Sequence, residues 1–461
     1  MVKYQRDHIL RFKVLADNIR TAALITLGCR VNQYETDVIS ENLRERGFTI
    51  VPFGTPADVT VINTCTVTGE SDRKSRQAIR RAVAVSPGAP IIVTGCYAET
   101  GKEAVSIIPG VTCVIGNGRK SHVPDIAESL LSGDGVGPVM DDGREMVLRS
   151  PQRTRSYIKI EDGCNNRCSY CIIPRARGRV RSKALSDIIC EGRALREGGC
   201  REVILTGIET ASYGLDLDVH DRYFGESLAG VIESLADIGF ERIGLASLEP
   251  TVMNDGFIGR IARIPSLLPH FHLSVQSGST TVLNRMRRRY NTKMLEEGMM
   301  RMREAVPEAT FSADIITGFP GESDAEFSET VDFARRGRFM HLHIFPYSKR
   351  EGTEAAQMPD QVSQQVKRER LRELSCVQSE IKRSLLNEYV GHHMKRAVHV
   401  LVESVSDGIG VGHSEHYAEV RFETHRAEVG DIACVRLTGH DGEICFGCDE
   451  SSPSDISERK Y

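Results

Sequence analysis

Short apolar runs alternate with amphipathic stretches along most of the chain. Between residues 21 and 132 the β-type runs are Ala22–Leu27, Asp58–Asn63, Pro90–Thr94 and Val111–Ile115. Helix-like segments follow them at Tyr34–Arg46, Asp72–Val85, Lys102–Ile108 and Ser121–Leu131. This alternation predicts a parallel, flavodoxin-like sheet flanked by helices. Residues 133–150, with Gly133, Gly135, Gly137, Pro138 and Gly143, read as a linker. Six further β-type runs follow: Ser156–Glu161, Glu202–Thr206, Arg242–Ala246, Phe271–Val275, Phe311–Thr317 and His341–Phe345. Helical candidates such as Ser182–Arg196 and Asp324–Arg336 separate them. Six β/α units predict a partial (β/α)6 barrel rather than a closed eight-fold one.

Residues 361–388 are charged and favour helix. After them the pattern changes to short alternating strands, Val398–Val402, Tyr417–Phe422, Ile432–Leu437 and Glu443–Phe446, with turns at Gly408, Gly430 and Gly439. That predicts a small antiparallel β-barrel. The expected fold is α/β in three regions, 21–135, 150–380 and 388–450. At 461 residues the chain is too long for one core, which agrees.

Composition narrows the class. No run of eighteen apolar residues occurs, so no membrane span is expected. The first twenty residues mix Lys3, Arg6, Arg11 and Lys13 with Asp7 and Asp17, so they lack a secretory core. They read as an extension with at most a short helix. Thirteen cysteines, an odd number, predict a reducing, cytoplasmic compartment and metal ligation rather than disulfides. The net charge of −4 argues against a generally basic nucleic-acid binder. Charge is nevertheless uneven. Arg149–Lys183 carries ten Lys/Arg against two acids, and Arg285, Arg287, Arg288 and Arg289 form a second run. Such runs are either solvated faces or phosphate-contacting surfaces.

The sharpest chemical signal is Cys164-x3-Cys168-x2-Cys171, directly after a β-type run. Three thiolates so close can wrap one polymetal centre while leaving one iron open. A structural zinc site would want a fourth Cys or His nearby, and none follows. A ferredoxin-type site would carry a fourth Cys, whereas Ile172-Ile173-Pro174 comes next. A second set, Cys29, Cys65 and Cys96, lies just beyond three successive N-terminal β-type runs. In a parallel sheet those strand ends share one edge, where open α/β sheets bind ligands. Gly28 and Gly95 would allow close backbone approach. Three buried structural cysteines are the alternative, but equivalent placement favours a second cluster. Cys113, Cys190, Cys200, Cys376 and Cys434 read as core or surface residues, and Cys445-x-x-Cys448 as incidental.

The Cys164 spacing resembles the radical S-adenosylmethionine (SAM) superfamily. The two sets together resemble its methylthiotransferase family, over about residues 22–450. The resemblance rests on Leu27-Gly28-Cys29-Arg30-Val31-Asn32-Gln33-Tyr34-Glu35, Asn63-Thr64-Cys65, Gly95-Cys96-Tyr97-Ala98 and Gly163-Cys164-Asn165. It extends to Ser247-Leu248-Glu249-Pro250, Gln276-Ser277-Gly278-Ser279, Gly318-Phe319-Pro320-Gly321-Glu322 and Phe345-Pro346-Tyr347-Ser348. Val31–Glu35 and Asp162–Asn166 look like the MtaB-type branch, which acts on threonylcarbamoyladenosine at tRNA position 37. Sister branches act on isopentenyladenosine in tRNA or on a ribosomal protein. A non-catalytic iron–sulfur RNA-binding protein is a reading of a different class.

The resemblance implies two [4Fe-4S] clusters. Cys164, Cys168 and Cys171 would hold the one whose open iron chelates SAM, giving a 5′-deoxyadenosyl radical. Cys29, Cys65 and Cys96 would hold the one that carries the inserted sulfur. Gly207, Ser247, Glu249, Gln276 and Gly318 match SAM-pocket positions. The terminal barrel resembles a TRAM RNA-binding domain. The tRNA partner, bound at its anticodon loop, would meet Arg175, Arg177, Arg179, Arg181, Arg287, Arg288, Arg289, Lys395 and Arg396. A reductant such as flavodoxin or ferredoxin is implied. The TRAM-like region departs from the usual basic pattern, with twelve acids, five Lys/Arg and seven histidines between Glu388 and Glu450.

Overall fold

The computed structural model describes residues 20–135, 137, 146–217 and 227–450. The N-terminal extension (Arg20 apart) and much of the expected linker lie outside them. The chain divides into two compact units. One comprises residues 1–148 with 172–178, the other residues 149–171 with 179–461. Apart from residues 172–178, the expected 150–380 and 388–450 regions therefore fall in one unit. A single helix, Gln364–His393, runs through the boundary expected between them.

The first unit is a five-stranded parallel sheet. Its strands are β1 (Thr21–Thr26), β2 (Thr49–Val51), β3 (Val59–Thr64), β4 (Ile91–Gly95) and β5 (Cys113–Val114), in the order β2-β1-β3-β4-β5. That is the flavodoxin-like order, with its switch point between β1 and β3. β3 and β4 are buried along their whole length, as central strands covered on both faces must be. Ile62, Ile91 and Val93 pack on Ile79 and Ala82 of helix Gly69–Val85. Thr68 caps that helix by accepting from the Ser71 amide.

The second unit holds a six-stranded parallel sheet in sequential order. Its strands are β6 (Arg155–Lys159), β9 (Glu202–Thr206), β10 (Arg242–Leu248), β11 (Leu267–Gln276), β12 (Thr310–Thr317) and β13 (His341–Pro346). β6 and β13 stay unpaired with each other, so the barrel is partial. A short antiparallel pair, β7 (Glu161–Asp162) and β8 (Arg181–Ser182), flanks the cysteine loop. The C-terminal strands close into a barrel, β14 (Val398–Ser406), β15 (Ile409–Ser414), β16 (Glu419–Glu423), β17 (Ile432–His440) and β18 (Cys445–Asp449). Its pairs are antiparallel except β16 with β18, which is parallel. Its core of Val398, Val400, Val420, Phe422, Val435 and Leu437 also takes in Leu386, Tyr389 and Val390 of the long helix. A buried ion network joins this barrel to the six-stranded sheet. Glu202 pairs with Arg155 at 2.7 Å and Arg242 at 2.6 Å. Arg242 donates onward to the carbonyls of His399 and Ser414. Among the described residues no helix is long and apolar enough to cross a membrane.

Candidate functional site

In the first unit the three candidate ligands stand at three neighbouring strand ends. Cys29 caps helix Arg30–Glu45 after β1, Cys65 follows β3, and Cys96 opens helix Cys96–Thr100 after β4. Glycine is required at two of these ends. Gly28 has φ +105°, and a Cβ there would lie 2.7 Å from the Cys65 Cβ. Gly95 has φ +97°, and a Cβ there would meet the Thr64 carbonyl oxygen at 2.3 Å. Asn32 braces the edge, donating to the carbonyls of Leu27 at 2.8 Å and Thr64 at 2.9 Å. Cys29 is exposed at this edge, whereas Cys65 and Cys96 are buried. The Cys65 thiol is pushed up by burial and by both other cysteines. Thiols gathered at one sheet edge suit a metal centre, which takes them as thiolates.

Below this edge lies a buried charge cluster. Glu35 receives Arg177 at 2.9 Å and is also paired with Lys120. Arg177 Nη2 also donates to Asn32 Oδ1 at 2.5 Å. All three charged side chains are at most 1% exposed. Arg177 was expected on a phosphate-contacting face. The structure corrects this, because its guanidinium is sealed against Glu35. Lys120 escaped sequence reasoning altogether, since nothing in its local pattern marks it as buried.

In the second unit Cys164, Cys168 and Cys171 sit on the loop after β7, which turns at Gly163 (φ +85°). The Asn166 amide donates to Cys164 Sγ at 3.4 Å, and Arg288 Nη1 donates to Cys168 Sγ at 3.1 Å. Burial, with Glu209 and the neighbouring thiols, pushes Cys164 up to about 12 despite the Asn166 amide. Arg288 is thus another correction. Its side chain is 6% exposed and belongs to the cysteine loop rather than to a surface.

The other expected positions gather at the carboxyl ends of the same sheet. Gly207 follows β9, and a Cβ there would strike Glu161 Oε1 at 2.1 Å. Ser247 lies near the end of β10, its carbonyl taking Thr210 Oγ1 at 2.6 Å. Glu249 follows it and is 1% exposed. Glu249 accepts from Asn166 Nδ2 at 3.4 Å and Arg289 Nη2 at 3.0 Å, while its Oε1 has no hydrogen-bond partner. Gln276 ends β11 at φ +71°, a left-handed conformation rare outside glycine. Gly318 (φ +70°) follows β12, against the Lys367 side chain. Sequence reasoning missed Glu209. Burial and then the Glu249 charge push it up to about 9, and Asn166 donates to it at 3.2 Å. Glu161 is raised to about 8, chiefly by burial. A polar ligand with hydroxyl and amino groups would meet these carboxyls, and Glu249 Oε1, which faces Arg288 at 3.9 Å without a hydrogen bond, can accept from such a group.

Of the remaining basic candidates, Arg175, Arg179, Arg181, Lys395 and Arg396 are exposed. Arg287 reaches Glu354 at 2.6 Å, and Arg289 is drawn to Glu249. Of the seven terminal histidines, His416 and His393 are buried beside Tyr389, and His413 pairs with Glu403 at 2.7 Å.

A family model described as the uncharacterized protein family UPF0004 matches residues 21–116, and one described as the radical SAM superfamily matches residues 158–334. The threonylcarbamoyladenosine tRNA methylthiotransferase MtaB of Bacillus subtilis is 37% identical over 429 residues, covering 90% of this chain and 93% of that protein. Its Rickettsia prowazekii counterpart is 33% identical, covering 92% and 96%. The tRNA-2-methylthio-N(6)-dimethylallyladenosine synthase of Bacillus subtilis is 32% identical, covering 95% and 87%. Among solved structures, the radical SAM methyltransferase TsrM from Kitasatospora setae aligns with a TM-score of 0.50 at 13% identity, covering 73% of this chain and 74% of that one, a likeness of fold.

Proposed function

The chain belongs to the MtaB-type radical SAM methylthiotransferases, and from that premise we propose that it replaces the C2 hydrogen of N6-threonylcarbamoyladenosine 37 in tRNA with a methylthio group. The observation that carries this reading is the pair of cysteine trios, each at the carboxyl edge of a parallel sheet and each one ligand short of enclosing a four-iron cube. An iron–sulfur cluster and SAM are the cofactors of this family. We assign Cys164, Cys168 and Cys171 to the cluster that binds SAM, and Cys29, Cys65 and Cys96 to a second one. When bound, these groups supply the one-electron chemistry that an unactivated aromatic C–H requires, together with the incoming sulfur and methyl.

The chain's own residues bind and orient. Asn166 links Cys164 to the carboxyls of Glu209 and Glu249. Arg288 donates to Cys168 Sγ and so holds that side chain in place. Gly207 and Gly318 let backbone lie against Glu161 and Lys367, and Gln276 is held in a left-handed turn between them. Glu249 and Glu209 suit contacts to SAM's hydroxyl and amino groups. Arg177 and Lys120 converge on Glu35 beneath the second trio. Exposed Arg175, Arg179, Arg181, Lys395 and Arg396 suit tRNA phosphates. Electrons would come from a flavodoxin- or ferredoxin-type protein in the cytoplasm.

The test is nucleoside mass spectrometry of tRNA from a strain lacking the gene. The methylthio form of threonylcarbamoyladenosine should vanish, and return with the intact gene but not with either triple Cys-to-Ala variant. Retention of that nucleoside, with loss of the isopentenyladenosine derivative or of a ribosomal-protein modification, would reassign the substrate.

A further inference from the structure

A cluster of histidines on the six-stranded sheet is not used by the function proposed above. One face of β11 and β12 carries Phe271, Leu273, Phe311, Ala313 and Ile315, all buried. The opposite face carries His270 and His272 on β11, and Thr310, Ser312 and Asp314 on β12. His343 stands on β13, and Asp314 and His343 are direct partners across the β12–β13 ladder. His272 lies across from Ser312 on the other side. One ligand atom from each of His272, Asp314 and His343 falls within 4.8 Å of the others.

A chain of hydrogen bonds through His270 and Ser312 orients the His272 ring. Thr310 Oγ1 lies 3.0 Å from the His416 carbonyl and 3.3 Å from that of Pro269. In the arrangement where Thr310 donates its one hydroxyl proton to the His416 carbonyl, it accepts from His270 Nδ1 at 2.9 Å. Neutral His270 then presents a lone pair at Nε2, which takes the Ser312 hydroxyl proton at 3.0 Å. Ser312 Oγ in turn accepts from His272 Nδ1 at 2.9 Å. Neutral His272 is thereby left with its lone pair at Nε2, 3.3 Å from Asp314 Oδ2. A lone pair facing a carboxylate is repulsive unless a cation stands between them. A hydrogen bond from the far ring nitrogen is also how ligating histidines are oriented.

We propose that His272 Nε2, Asp314 and His343 bind one divalent transition-metal ion of the zinc class on this face of the sheet, separately from both cysteine trios. Two imidazoles and one carboxylate form an established donor set for such ions, and they leave a coordination position for water or an anionic oxygen. Ligand atoms around such an ion stand about 3.3 Å apart, given metal–ligand bonds of about 2 Å. The present spacing closes by a shift at His343, the exposed member of the set. The competing arrangement has a proton on His272 Nε2 donated to Asp314, in the other neutral tautomer or in the imidazolium, and it needs neither His343 nor a metal.

The test uses the full chain with its iron–sulfur sites reconstituted anaerobically, equilibrated with buffered Zn2+ and measured for zinc, iron and sulfide. One zinc per chain is expected beyond the iron. His343→Ala and Asp314→Asn should each lose it with iron, sulfide and far-ultraviolet circular dichroism unchanged. Ser312→Ala, which frees the His272 ring, should weaken zinc binding by about 10–100-fold. If Asp314→Asn fails to fold, the exposed His343 keeps the decision. Absence of zinc from the wild-type chain, or equal zinc in His343→Ala, would overturn the proposal.

Discussion

One methyl group should be enough to break the edge that carries Cys29, Cys65 and Cys96. Gly95→Ala puts a Cβ against backbone at a left-handed φ, so neither rotamer nor side-chain adjustment relieves it. A loss of roughly 3 kcal/mol or more is expected in denaturant unfolding of the cluster-free chain. Arg288→Met removes a cationic donor from Cys168 Sγ. It should lower the reduction potential of the cluster held there, read by potentiometric titration of its paramagnetic signal. Glu209 gives a pH signature. Its carboxyl stays protonated in the folded chain to about 9, against an ordinary value of 4.5. The stability tied to that neutral form is complete below about 4.5 and is lost as pH rises toward 9. Glu209→Gln of the cluster-free chain should therefore gain stability relative to wild type across that interval. A constant difference would refute the assignment. The cysteines were legible in sequence because strand ends and spacing declare them. Glu209 and Arg288 were not, because their positions depend on which loops meet over the sheet.

Among the elements, long apolar strands were legible and short or glycine-rich ones were not. β2 is a three-residue edge strand with too few positions to show a period. β15 reads Ile-Gly-Val-Gly-His-Ser, so two glycines dilute its pattern. Both are sterically required, since a Cβ at Gly410 would meet Phe422 at 2.6 Å and one at Gly412 the Leu401 carbonyl oxygen at 1.9 Å. The basic run 149–183 was misleading in the opposite way. Arg155, Arg177 and Lys183 are consumed by buried pairs with Glu202, Glu35 and Glu191. Glu35, on helix Arg30–Glu45, faces two buried cations. Glu35→Gln should cost roughly 3–5 kcal/mol in chemical denaturation. A loss below about 1 kcal/mol would mean that the cations find other compensation.

For the whole molecule the decisive quantity is iron. Anaerobically reconstituted chain should hold about eight irons, the content of two four-iron clusters. Each triple Cys-to-Ala variant should hold about half of that. Only the Cys164, Cys168 and Cys171 variant should lose reductive SAM cleavage. Four irons in the intact chain, or cleavage surviving that variant, would remove the basis for sulfur insertion. The acidic terminal barrel changes the expectation for tRNA binding. With its histidines partly built into packing, salt dependence should be set mainly by Arg175, Arg179, Arg181, Lys395 and Arg396.

The N-terminal unit also reclaims residues 172–178, seven positions that come just after Cys171 in the chain. Within that unit Arg177 is the guanidinium that answers Glu35. No single cut in the gene can therefore release this unit whole. A fragment ending at residue 148 would leave Glu35 with Lys120 as its one cationic partner and Asn32 Oδ1 without the Arg177 donor. Recombination between relatives should tolerate exchange of the first 148 residues only when residues 172–178 travel with them.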